Sequence, residues 1–264
     1  MTRGGSGGSS PQGGTVEWLG QTEDAGLVER SFALRHGAQV VPGVLWSRSG
    51  STTRPAVLLG HGGSGHKSSE RQLRVARWLA AEAGLAVVAI DGPYHGDRVP
   101  APLDPAGYQQ LIVHEGIERV TARMTMDWLA VVGALEALGI VDGANVTVIG
   151  MSMGARFGLP VAAALGQRLR CAVFGKFGLR ETELLDPGLC APELTLTAAR
   201  AICAPVLFHV QWDDEIFPRD GQFELFSAFA AADKRLIART GRHAETHADD
   251  VASWQRHIAD NVTA

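Results

Sequence analysis

Four short stretches of this 264-residue chain carry residue types that acyl-transfer chemistry requires. Gly150-Met151-Ser152-Met153-Gly154 has the form G-x-S-x-G. On a sharp strand-to-helix turn such a serine stands clear of the chain. Its glycines let backbone approach without side-chain clashes, and the helix N-terminus favours developing negative charge. The pattern alone is weak, because Gly4-Gly5-Ser6-Gly7-Gly8 fits it too. Context separates the two: Ser152 follows an apolar run at 145–149 and opens a helical pattern, whereas Ser6 lies in a Gly/Ser-rich stretch. The bland alternative is a tight turn whose serine only caps a helix.

A serine hydroxyl needs a base, and the base needs an orienting acid. Asp213 and Asp214 lie just past the apolar run 206–210, and His243 and His247 follow the run 236–238. His243 is the preferred base because it stands nearer the strand end. His247 is then an exposed residue near the start of the last helix. As a metal pair these histidines lack the helical H-E-x-x-H pattern and a third ligand, so neither a metal nor another cofactor is expected. His61-Gly62-Gly63-Ser64-Gly65 is either a plain β–α turn or a source of backbone N–H groups for an oxyanion.

Such residues need rigid elements behind them. Residues 27–34 and 38–46 read as β segments about a turn at Gly37, and 56–60, 85–90, 145–149, 171–174, 206–210 and 236–238 as short strands. Helical spacing predicts a helix over 70–83 (Leu73, Ala76, Leu79, Ala80) and a long one carrying Val120, Met124, Trp128, Val131 and Leu135. Further helices are expected over 153–166, kinked or interrupted at Pro160, and over 218–231 and 249–261. Pro100, Pro102 and Pro105 predict an irregular 99–116. The alternation implies an α/β fold: a mostly parallel sheet with an antiparallel N-terminal edge and helices on both faces. The candidate residues all fall on loops at strand carboxyl ends, where such sheets carry their chemistry.

Residues 1–20 read as a flexible tail without a secretory signal core, and 21–264 as a single domain. Hydrophobic residues make up 45%, enough for a sizeable core, and the net charge of -4 argues against nucleic acid or an anionic membrane as partner. No run approaches the ~20 apolar residues of a membrane helix. Cys171, Cys190 and Cys203 form no disulfide or zinc pattern, so a reducing, cytoplasmic setting is expected. No feature specifies an oligomeric state.

Together, HGG, GMSMG, WDDEIFP and GRH resemble, in that order, the α/β-hydrolase superfamily, and within it the compact dienelactone-hydrolase-like serine esterases. The resemblance runs from residue 27 to the C-terminus and implies that fold without a large lid domain. It implies the chain order Ser, acid, His, hence Ser152, Asp214 and His243 as catalytic residues. Asp214 is preferred to Asp213 because it precedes Pro218 by four residues, as in the family's D-x-x-x-P acid loop. It further implies an oxyanion hole from the N–H groups of Gly63 and Met153, and a small-molecule carboxylic ester as substrate. The 91–97 stretch resembles the family's D-x-x-x-H-G loop, which makes Asp91 and His95 structural or pocket-lining. Segments 98–115 and 179–198 are read as the rim, and Met151 and Trp212 as candidate substrate contacts or core. Dienelactone hydrolases proper use a cysteine where this chain has Ser152, which directs the expectation to ordinary esters. A peptidase or amidase on the same triad, and a non-catalytic binding scaffold, are the alternatives.

Overall fold

The computed structural model describes residues 14–50 and 52–262. The strands are β1 (Thr15–Asp24), β2 (Leu27–His36), β3 (Gln39–Arg48), β4 (Arg54–Gly60), β5 (Ala86–Ile90), β6 (Val141–Met151), β7 (Leu169–Gly175), β8 (Val206–Gln211) and β9 (Lys234–Arg239). The helices are α1 (Glu70–Ala81), α2 (Pro105–Glu115), α3 (Ile117–Ala137), α4 (Met153–Leu165), α5 (Pro192–Ala201), α6 (Arg219–Ala228) and α7 (Ala248–Val262).

All strands join one sheet in the order β1-β2-β3-β5-β4-β6-β7-β8-β9. β1, β2 and β3 form an antiparallel meander, β3 pairs antiparallel with β5, and every pair from β5 to β9 is parallel. This is the architecture the sequence pattern predicts. The buried runs of the central parallel strands β4 and β5 are apolar in both directions because both faces are covered. In β4, Ala56 and Leu58 enter the core beneath α2–α6, whereas Val57 and Leu59 enter the core closed by α1 and α7. Each such buried Val or Leu stabilises the fold by roughly 1.5–3 kcal/mol.

From β4 the chain passes to β5 on one side and then to β6 on the other. The connections after β4 and β6 therefore diverge and leave a crevice at the carboxyl end of the sheet. Both the 61–65 loop and Ser152 stand there.

Three expectations need correction. The domain does not start at residue 21: β1 begins at Thr15 and pairs along β2, with Trp18 edge-on to Phe32 at 5.9 Å. β1 is almost wholly exposed, so it lacks the apolar alternation that reveals a strand. Residues 1–13, the remainder of the expected tail, lie outside the described residues. Second, 99–116 is not irregular throughout, because α2 occupies most of it. Pro105 stands in its first turn, where the missing N–H costs nothing, and the Asp104 carboxylate accepts the Gly107 N–H at 2.7 Å. Third, of the kink or interruption expected at Pro160, the interruption is absent: α4 is one helix from Met153 to Leu165. Burial of nearly its whole length offsets the lost hydrogen bond. Among the described residues, no helix is long and apolar enough to cross a membrane.

Candidate active site

β6 ends at Met151, and Ser152 adopts φ 57°, ψ -122° before α4 begins. That left-handed backbone costs a non-glycine residue about 1–3 kcal/mol. It is held by the packing of α4 and by the Ser152 N–H, which donates to the Gly175 carbonyl at 3.0 Å. Gly154 is required because a Cβ there would lie 2.7 Å from the Gly60 carbonyl oxygen. The elbow thus presses directly on the end of β4.

The expected acid and base stand in the turns after β8 and β9. His243 Nε2 lies 3.0 Å from Ser152 Oγ. Its Nδ1 lies 3.0 and 2.9 Å from the two oxygens of Asp214. A carboxylate at Nδ1 keeps the proton on that nitrogen and leaves Nε2 to accept the serine proton. The Asp214 side chain is fully buried, and its Oδ1 accepts the N–H groups of Ile216 and Phe217, each at 2.9 Å. Asp213 is exposed and accepts the Gly241 N–H at 3.0 Å instead. The His243 N–H donates to Glu215 at 2.9 Å, a bond that holds the Glu215 carboxyl below its usual range. The Phe217 ring packs against the imidazole at 5.7 Å.

Opposite Ser152 stands the loop after β4. His61 is buried, and burial lowers its pKa to about 4. It holds the Gly62 carbonyl at 2.8 Å, and His95 holds the Gly63 carbonyl at 2.9 Å. Lys67 anchors the loop's far end: its backbone N–H and its ammonium both donate to the buried Asp91, at 3.0 and 2.7 Å. Asp91 and His95 are therefore structural supports of this loop. A Cβ on Gly63 would come within 2.3 Å of the Tyr108 hydroxyl, so any larger residue would have to displace the Tyr108 ring. Met153 opens α4, where the first N–H groups have no acceptor within the helix.

A cavity of about 400 Å³ lies over Ser152 between these loops. Tyr108 and Ile112 of α2, Phe157 of α4, and Leu184, Leu185 and Leu189 give it an apolar wall. Both segments expected at the rim thus contribute. Met151 also lines the cavity; Trp212 lies outside it, packed on Phe223 beneath the Arg219 guanidinium. His247 is exposed and its N–H donates to Asp250 at the start of α7. Among the described residues, no cluster of three His, Cys, Asp or Glu side chains is placed to hold a metal.

Several neighbours of the site are absent from the sequence reading. Gln222 donates to the Phe217 carbonyl at 2.6 Å and to Asp214 at 3.4 Å. Arg156 lines the cavity and pairs with Glu181 at 2.7 Å. Lys176 also lines the cavity. A charged residue directly after the apolar run 171–175 was the available signal for Lys176, and the lone charge in the otherwise apolar α4 was the signal for Arg156; Gln222 sits in α6 among other polar residues.

The chain matches the Dienelactone hydrolase family over residues 41–240. It is similar to a cold-adapted esterase from an Arctic intertidal metagenomic library, at 30% identity and a TM-score of 0.79, covering 93% of this chain and 99% of that one. At 18% identity it shares its fold with an acetyl xylan esterase from Paenibacillus sp. R4, with a TM-score of 0.71 over 96% of this chain and 90% of that one. No match is found among curated proteins.

Proposed function

The chain belongs to the dienelactone hydrolase family, and from that premise we propose that it is a serine esterase cleaving small carboxylic esters through an acyl-enzyme. The observation that carries this reading is the unbroken hydrogen-bonded line from Ser152 Oγ through His243 to the buried Asp214. Ester hydrolysis also suits the apolar cavity wall and the esterase relative at 30% identity.

In this mechanism His243 Nε2 takes the Ser152 proton as Oγ attacks the ester carbonyl. Asp214 holds the imidazole in its tautomer and stabilises the imidazolium that forms. The N–H groups of Gly63 and Met153 receive the tetrahedral oxyanion, a contribution worth ~10²–10³ in rate per donor. The imidazolium then gives its proton to the departing alcohol. Water, deprotonated by the same nitrogen, attacks the acyl-enzyme and releases the acid.

The test is incubation with a fluorophosphonate probe and with p-nitrophenyl acetate, wild type beside Ser152→Ala. Intact mass should show one phosphonyl adduct on wild type and none on the variant, with kcat lowered at least ~10⁴-fold in the variant. A folded wild type that neither labels nor turns over would overturn the reading.

A further inference from the structure

Lys176 follows β7 directly, one residue past the Gly175 carbonyl that accepts the nucleophile's N–H. It is 1% exposed and has φ 47°, a left-handed conformation rare for a side-chain-bearing residue. Its own N–H donates to the His209 carbonyl of β8 at 2.9 Å. From this fixed base the side chain reaches the irregular loop between β9 and α7. There Nζ donates to the His243 carbonyl at 3.1 Å, to Thr246 Oγ1 at 2.8 Å and to the Glu245 carbonyl.

An ammonium has three N–H donors, and the loop supplies three acceptors. The buried charge is thereby fully hydrogen-bonded, the condition under which burying a charge is tolerated. It also has no donor left for a substrate, although it lines the cavity. Glu215 and Asp213 each hold one backbone N–H of the 240–247 loop. Lys176 ties residues 243, 245 and 246 together and joins them to the strand beside Ser152.

We propose that Lys176 is a positioning residue, whose ammonium clamps the His243 loop to the end of β7, the strand that holds the Ser152 N–H, and so sets the distance between base and serine. The inference rests on the serine-esterase reading above. The charged and titratable groups around Lys176 are Arg71 of α1, Asp214 after β8, His209 of β8, Asp250 of α7, and His243 and Glu245 in the loop itself. Burial, and next the Arg71 charge, lower its pKa to about 8. A neutral amine keeps two donors, so one loop acceptor loses its partner as the proton leaves to solvent.

The test compares wild type, Lys176→Met and Thr246→Val, with background-corrected p-nitrophenyl acetate turnover from about pH 6 to about pH 10. Fluorophosphonate labelling and circular dichroism accompany each. Wild-type kcat should fall above about pH 8. Lys176→Met should lose ~10–100-fold in kcat with KM within about threefold, and its profile should lack that alkaline limb. Thr246→Val should move the limb to lower pH, because the charged amine loses an acceptor. A folded Lys176→Met with wild-type kcat and an unchanged limb overturns the proposal. If Lys176→Met does not fold, a Thr246→Val limb coincident with wild type overturns it. Failure of wild type itself to label would count against the esterase reading, a result distinct from a labelled wild type with an unaffected Lys176 variant.

Discussion

The Gly92 N–H donates to His61 Nε2 at 2.7 Å, and that one bond decides the tautomer of a histidine on the loop that carries Gly63, the proposed oxyanion donor. With Nε2 accepting, the ring proton must sit on Nδ1, which donates to the Gly62 carbonyl. The Gly62 carbonyl and the Gly63 N–H belong to one planar trans peptide, so holding the first aims the second. Burial keeps the ring neutral down to about pH 4.

His61→Ala should therefore lower kcat while leaving KM nearly unchanged, since an oxyanion donor acts chiefly in the transition state. The loss should be ~10–100-fold, below the ~10²–10³ for removing a donor outright, because the N–H remains but is no longer aimed. The buried Gly92 N–H and the half-buried Gly62 carbonyl also lose their partner, which should lower unfolding free energy by about 1–4 kcal/mol. Steady-state kinetics and urea titration check both, and an unchanged kcat would remove His61 from the oxyanion arrangement.

Asp213 and Asp214 are adjacent, chemically identical and differently employed. Asp214→Asn should reduce kcat ~10³–10⁴-fold, because an amide at that position favours the wrong imidazole tautomer. Asp213→Asn weakens only the bond to Gly241 and should cost less than ~10-fold. Kinetics of the two variants side by side decide the matter; equal losses would mean that the acid role is not confined to Asp214.

Stability should fall on the acid side. Burial lowers His61 and His209 to about 4, against the ordinary 6.5. Between those values the unfolded chain binds more protons than the folded one. The stabilisation is thus fully present above about pH 6.5 and is lost as pH falls toward 4, at up to ~1.4 kcal/mol per pH unit for each ring. The urea midpoint should be clearly lower at about pH 5 than at about pH 7.5. Coincident midpoints would mean that the rings are not held neutral.

Much of this molecule is legible from local pattern. Short, mostly apolar runs at 56–60, 85–90 and 206–210 are strands because a strand covered on both faces has little room for polar side chains. Their alternation with helices is enough to specify a parallel sheet and to place the candidate loops at one end of it. β1 and α2 escape such reading for opposite reasons. β1 buries too little to carry a pattern, and the prolines before α2 disguise a helix start as a loop.

The sequence by itself determined the residue types of the candidate site and their order, because G-x-S-x-G, the HGG loop and the WDDEIFP loop are local constraints of backbone conformation and chemistry. Only the tertiary structure decided which of two neighbouring aspartates meets His243, which nitrogen of His61 carries the proton, and that Lys176 reaches a loop 67 residues further along the chain. The physical reason is the range of the interaction. A turn or a buried strand is written in adjacent residues, whereas a hydrogen bond between distant loops depends on where the whole sheet puts them.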